Sequence, residues 1–320
     1  VHRFFCAKIN NWEGLFIFAE RNNHFMIENS FSLSGQLVDL VHSRIFPGKI
    51  TVCDQKITEI IELPEAENRF IMPGFIDAHI HIESSMVPPS EFGRMAVCHG
   101  TVAAVSDPHE IANVLGVEGI DYMIRSGKRG HFKFYFGAPS CVPATPFETS
   151  GFTLDANAIE QLMARDEIYY LAEMMNYPGV LAEDPEIMKK LEAAKKNGKP
   201  IDGHAPMVTG DDIRKYIEAG ISTDHECNAM EDAVERIKLG MMIQIREGSA
   251  AKNFEALIPL MAQYPEMLML CSDDKHPDDL MKGHINLLVK RALQKGYKLM
   301  DVLRAASLNA VKSLDRKSVV

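Results

Sequence analysis

Between residues 75 and 274 a short β-rich run followed by a helix-forming segment recurs eight times, and this repetition constrains the fold more than any other feature of the chain. The runs are "FIDAHIH", "TVAAVSD", "KFYFGAP", "IYYLAEMM", "PIDGHA", "ISTDHE", "MMIQIRE" and "LMLCSDD". Their ends fall roughly 20–35 residues apart, the length of one strand–helix unit in a closed parallel barrel. The segments between them carry helix punctuation. Asp184 and Pro185 open "DPEIMKKLEAAKKNG" and Gly198 stops it. "DDIRKYIEAG" and "NAMEDAVERIKLG" also end in glycine, and "DDLMKGHINLLVKRALQKG" has the apolar spacing of one long helix. The pattern predicts an α/β fold, a (β/α)8 barrel of the TIM type. Strand counting alone leaves a doubly wound open sheet as the alternative.

Ahead of the barrel the pattern differs. "GQLVDLVHSRIFPGKITVCDQKITEIIEL" reads as short β pieces separated by the turn signals "PGK" and "CDQK". The expected organisation is an N-terminal segment with a small β-subdomain over residues 1–70, then the barrel over residues 71–320. A chain of 320 residues with 46% hydrophobic side chains can bury a core of that size. The formal net charge of −10 argues against nucleic acid or an acidic membrane surface as a partner. No apolar run is long enough to span a bilayer. The six cysteines are scattered without a C-x-x-C pair, which reads as reduced thiols in a cytoplasmic protein. Homo-oligomerisation is left open.

Polar residues suited to metals recur at the strand ends. The first strand ends in His79 and His81, the fourth in Glu173, the fifth in His204, the sixth in His225, and the eighth in Asp273 and Asp274. In a barrel those ends share one mouth. Side chains alternate along a strand with period two, so His79 and His81 point the same way. Imidazole and carboxylate donors together suit divalent transition metals, and this set is large enough for two ions. Each residue also has a plainer reading. Glu173 could be a carboxylate of a barrel layer, "SDD" a helix cap, and Asp107 with Pro108 a helix start. Glu83 falls in register with the two histidines if the first strand continues, and His109 and Asp274 are further polar groups able to line the mouth.

The motifs are also specific. "PGFIDAHIHIESSM", "VSDPHEIANVLG", "LAEMMNYPGV", "GHAP", "DHE" and "CSDDKHPDDL" resemble the bacterial adenine deaminase family within the amidohydrolase superfamily. The resemblance runs from about Phe31 to Ala310. It implies that His79, His81 and Asp273 hold one metal, His204 and His225 a second, and Glu173 bridges the two. It implies Mn²⁺ as the usual ion; the same donors suit Fe²⁺ or Zn²⁺. The implied reaction is hydrolytic conversion of adenine, a small-molecule substrate, to hypoxanthine and ammonia. In it a metal-bound hydroxide attacks C6, and Asp273 takes the proton and passes it toward the leaving amine. For such a substrate Glu83, His109, Glu110 and Asp274 are polar groups able to meet the ring nitrogens and the amine. Relatives continue past "ASLNA" into a C-terminal domain, so a barrel truncated at its C-terminal end is expected, and the first thirty residues and the tail "VKSLDRKSVV" match poorly. The same metal pair would serve a cyclic amide hydrolase or an N-acetyl amino sugar deacetylase. An inactive truncated barrel is the remaining alternative.

Overall fold

The structure, a computed structural model, describes residues 4–7, 30–54, 56–145 and 147–314. The side chain of Cys6 and the tail beyond Leu314 lie outside the described residues. The first five strands, β1 (Phe4–Ala7), β2 (Ser30–Asp39), β3 (Arg44–Cys53), β4 (Lys56–Glu62) and β5 (Phe70–Pro73), form one sheet in the order β1-β5-β2-β3-β4. The hairpin between β2 and β3 turns at residues 40–43, not at "PGK". Asp39 builds that turn by accepting bonds from the amides of Val41 and His42, and Ser43 takes a left-handed backbone. "PGK" instead runs inside β3, where Pro47 lies opposite Gln36 and its carbonyl accepts from the Leu63 amide. Gly35 and Gly48 face each other across the same pair. "CDQK" does turn the chain, between β3 and β4.

The next nine strands build the barrel. They are β6 (Phe75–His81), β7 (Thr101–Ser106), β8 (Lys133–Ala138), β9 (Ile168–Met174), β10 (Ile201–Gly203), β11 (Thr223–Asp224), β12 (Met242–Arg246), β13 (Leu268–Cys271) and β14 (Asp273–Asp274). β6 through β10 pair in order, all parallel, and β11-β12-β13 form a second parallel run. A parallel bridge from Ile201 to Ile221 joins the two runs on one side. On the other side β14 pairs in parallel with β6, Asp273 opposite Ile80 and Asp274 opposite His81. The eighth barrel strand is thus two pieces: β13 bonds to β12, the chain changes partner at Ser272, and β14 closes the ring.

Apolar side chains fill the layer between the strands and the surrounding helices. Ile80, Ile82, Phe92, Ile120 and Leu171 belong to one buried cluster, and Ile243, Ile245, Phe254, Leu257 and Leu288 to another. Val38 and Leu40 of the N-terminal sheet join the second cluster, and Arg304 donates to the Leu40 carbonyl, so the sheet is docked on the barrel. The helix over Pro185–Lys196 starts as expected, with the Asp184 carboxylate capping Glu186 and Ile187 and with Gly198 left-handed at its end. The last long segment is not one helix. It breaks at Gly283 and His284 into Pro277–Lys282 and Ile285–Gln294. The break frees the His284 ring to bond Asp77 and Thr101.

Candidate metal centre

The two histidines of β6 meet at the barrel centre, with their Nε2 atoms 3.2 Å apart. Simple alternation gives only part of the reason. The register of β6 against β7 shifts between Asp77 and Ile80, which inserts an extra residue there. Ile76 and Ala78 pack with Ala103, Met269 and Cys271, whereas Asp77 bonds His284 in the helical layer. The irregularity lets His79 join His81 at the centre. The strand then ends. Glu83, expected in register with the histidines, sits in a single 3-10 turn over Ile82–Ser85. It reaches back to accept a bond from the Ile111 amide at 3.2 Å.

Hydrogen bonds orient both rings as ligands. His79 Nδ1 lies 2.7 Å from the Asp202 carboxylate, and His81 Nδ1 lies 3.1 Å from the Asp107 carbonyl. Each Nδ1 has an acceptor for its proton, so the Nε2 lone pairs face the centre, the second-sphere arrangement typical of metal-binding histidine. Around them stand Asp273, with Oδ1 3.3 Å from His81 Nε2, and Glu173, with Oε1 3.3 Å from the same atom. Glu173 Oε2 is 2.8 Å from His204 Nδ1 and 3.3 Å from His225 Nε2. The His225 ring stacks on His79 with centroids 4.1 Å apart.

Among the described residues, three groups bring ligand atoms within 4.8 Å of one another: His79, His225 and Asp273; Glu173, His204 and His225; and His81, Asp107, His109 and Glu173. They overlap. An imidazole nitrogen has one lone pair, so overlapping groups that use the same nitrogen offer alternative sets for an ion. The cluster is compatible with a divalent metal, and Glu173 touches histidines on both sides of it.

The electrostatics agree with that chemistry. Burial disfavours a charged His79, but the Asp202 carboxylate overrides it and pulls the ring up to about 9. Burial likewise opposes the charge on Glu173, and hydrogen bonds from His204 and His225 hold it well below the usual carboxylate range. Asp273 is also held low despite its burial, by His81 and by the nearby His225 and His79. A proton and a divalent cation compete for the same imidazole lone pairs, and the carboxylates that attract one attract the other.

The remaining expected residues surround this centre. His109 Nδ1 is 3.2 Å from Asp107 Oδ2 and 3.4 Å from Glu173 Oε1. Asp274 accepts a bond from the Ser84 hydroxyl at 2.6 Å. Neither aspartate of "SDD" caps a helix, since the next one starts after His276, and Asp107 makes no cap either. Burial pushes Glu83 up to about 7, with Glu110 adding to the shift and His81 and the Ile111 amide opposing it.

Three residues, Asp202, Glu226 and Arg246, escaped the sequence reading, and a fourth, Asp107, was read only as a helix start. Asp107 is fully buried beside His109 with Oδ1 unpartnered. Asp202 orients His79. Glu226 Oε1 lies 3.5 Å from both His204 and His225. Arg246, buried at the end of β12, donates to both oxygens of Glu226 and, at 2.8 Å, to Asp273 Oδ2. The available signals were weak: an Asp two residues before His204, a Glu directly after His225, and a lone Arg ending an apolar strand.

The amidohydrolase family profile matches residues 70–319. The chain belongs to the amidohydrolase family. Within it, the chain is 56% identical over 283 residues to an adenine deaminase of Salinibacter ruber, covering 88% of this chain and 52% of that protein. It is also 56% identical over 279 residues to an adenine deaminase of Methanosarcina mazei, covering 87% and 50%. The chain therefore spans about half the length of these curated relatives. Among solved amidohydrolase-like folds, the N-acetyl-D-glucosamine-6-phosphate deacetylase of Mycobacterium smegmatis superposes with a TM-score of 0.60 at 15% identity, covering 88% of this chain and 89% of that one. That likeness supports the barrel.

Proposed function

We propose that this chain carries the catalytic barrel of a metal-dependent deaminase that hydrolyses adenine to hypoxanthine and ammonia. The observation that carries the reading is the 56% identity to adenine deaminases across 283 residues, a stretch that includes every ligand candidate at the barrel mouth. His79, His81, Glu173, His204, His225 and Asp273 would hold two divalent ions, with Mn²⁺ as the proposed metal and Glu173 between them. The tautomers fixed by Asp202 and by the Asp107 carbonyl fit that role. When bound, such ions supply a water acidic enough to attack at neutral pH.

The chain's own groups would do the rest. Asp273 Oδ2 is held by Arg246 and its Oδ1 faces the two histidines, so the carboxylate is fixed and ionised and would accept the proton of the attacking water. It would pass that proton toward the departing amine. Glu83, with its upward-shifted carboxyl, would hold a proton for a ring nitrogen, and His109 and Asp274 would line the purine. We read the protein as cytoplasmic and its partner as a small diffusible base. The test is direct: the chain loaded with Mn²⁺ should convert adenine to hypoxanthine with matching ammonia release. Turnover of cyclic amides or N-acetyl amino sugars in place of any aminopurine would refute the substrate assignment.

A further inference from the structure

Behind the metal centre lies a second polar cluster that the proposed chemistry does not use. Asp77 is fully buried, and both its oxygens are occupied. Oδ1 accepts from the Ser272 amide at 3.0 Å and from the His79 amide at 3.3 Å. Oδ2 accepts from the Ser272 hydroxyl and, at 2.7 Å, from His284 Nε2. With Nε2 donating, His284 Nδ1 is the acceptor for the Thr101 hydroxyl, 2.8 Å away. Thr101 and His284 are themselves buried, and the His284 ring lies edge-on to Phe92. The relay runs from the start of β7, through the broken helix at His284, to Asp77 and on to Ser272.

Ser272 is the residue at which the eighth barrel strand changes partner. The next residue, Asp273, has a φ of 54°, a left-handed backbone that a residue other than glycine holds only where the surroundings favour it. Two hydrogen bonds from Ser272 to Asp77 hold the residue just before that turn. Asp77 also accepts from the amide of His79, so one carboxylate fixes the backbone at two of the proposed ligands.

We infer that Asp77, itself held by His284 and Thr101, is a positioning residue: it locks the Ser272–Asp273 backbone in its left-handed turn and so aims the Asp273 carboxylate at His79 and His81. The inference rests on the reading of Asp273 as metal ligand and proton acceptor. Asp77→Asn keeps the shape but turns one acceptor oxygen into a donor: at the Oδ1 position it opposes the amides of Ser272 and His79, and at the Oδ2 position it is accommodated only by turning the Ser272 hydroxyl and shifting His284 to its other tautomer, which breaks the relay to Thr101. Groups that orient a ligand from behind typically change metal affinity or activity by about ten- to hundred-fold.

The experiment titrates the metal-free chain with Mn²⁺, reading free Mn²⁺ by electron paramagnetic resonance, and follows adenine turnover in parallel. Asp77→Asn should weaken Mn²⁺ binding at one of the two sites by roughly ten-fold or more and lower kcat more than it raises KM. A paired readout covers the case in which Asp77→Asn does not fold: His284→Gln, which can still donate to Asp77, should retain wild-type Mn²⁺ affinity, whereas His284→Ala should lose it. Wild-type affinity and kcat in folded Asp77→Asn, or equal affinities in the two His284 variants, would overturn the inference and leave the deaminase reading intact. Weakened Mn²⁺ binding in Asp77→Asn, with no aminopurine turned over by the wild-type chain, would sink the deaminase reading and uphold the positioning role.

Discussion

At the scale of single residues, Glu173 carries the heaviest load. It touches His81, His109, His204 and His225, histidines on both sides of the cluster. Glu173→Gln should reduce bound Mn²⁺ to one ion or fewer per chain, counted by elemental analysis after dialysis; two ions retained at wild-type affinity would contradict a bridging role. Glu83 makes a pH-dependent prediction. Its carboxyl is raised from 4.5 to about 7 in the folded chain. Below pH 4.5 both folded and unfolded states hold the proton, so the group has no effect on stability. Between 4.5 and 7 the unfolded chain releases it first, so this burial destabilises the fold progressively, and above 7 the penalty is constant. In the metal-free protein, Glu83→Gln should match the wild-type melting temperature near pH 4.5 and exceed it at pH 8. A gap that does not change with pH would show that Glu83 is not held protonated. The residues read directly from the sequence were those whose type and strand-end position coincide, namely His79, His81, Glu173, His204, His225 and Asp273. Asp202 and Arg246 were not legible, because their part in the site depends on contacts between strands that no local pattern records.

At the scale of elements, the eight strands were legible because each is a short apolar run ending in polar residues. What could not be read were the places where tertiary contacts override local propensity. Pro47 and Gly48 look like a turn but continue β3, because ladder pairing on both sides and the Asp39 turn fix the register. The segment from Pro277 to Gln294 looks like one helix, yet bonds from His284 to Asp77 and Thr101 offset the hydrogen bonds lost at the break. The extra residue in β6 is equally invisible in "FIDAHIH". β10 shows how tightly these elements meet. A Cβ on Gly203 would fall 2.3 Å from the Thr223 carbonyl and 2.7 Å from Ile221. Gly203 stands between Asp202 and His204, so the clash cannot relax without moving one of them. Gly203→Ala should destabilise the chain by about 1–3 kcal/mol and lower Mn²⁺ affinity together with it, measured by denaturant unfolding and metal titration; unchanged metal binding would place the strain elsewhere.

At the scale of the whole molecule, the N-terminal sheet and the barrel share a core. Val38 and Leu40 lie in the same buried cluster as Phe254, Leu257 and Leu288. The two parts should therefore unfold in one cooperative transition. Val38→Asp would bury an unpaired charge in that cluster and should lower the single transition as a unit rather than split it into two; two resolved steps in a calorimetric scan would show that the sheet and barrel are energetically separate. The ring itself closes where β14 meets β6, joining Asp273 to a strand that the ribosome completed almost two hundred residues earlier (195 for the Asp77–Ser272 bond). Contacts of such long range form late in folding, after the entropy of closing the loop has been spent. Docking of β14 on β6 is what brings Asp273 to His79 and His81. A nascent or half-folded chain thus displays scattered histidines but no complete set of donors, and the cluster that could hold a cation is assembled only once the ring has shut.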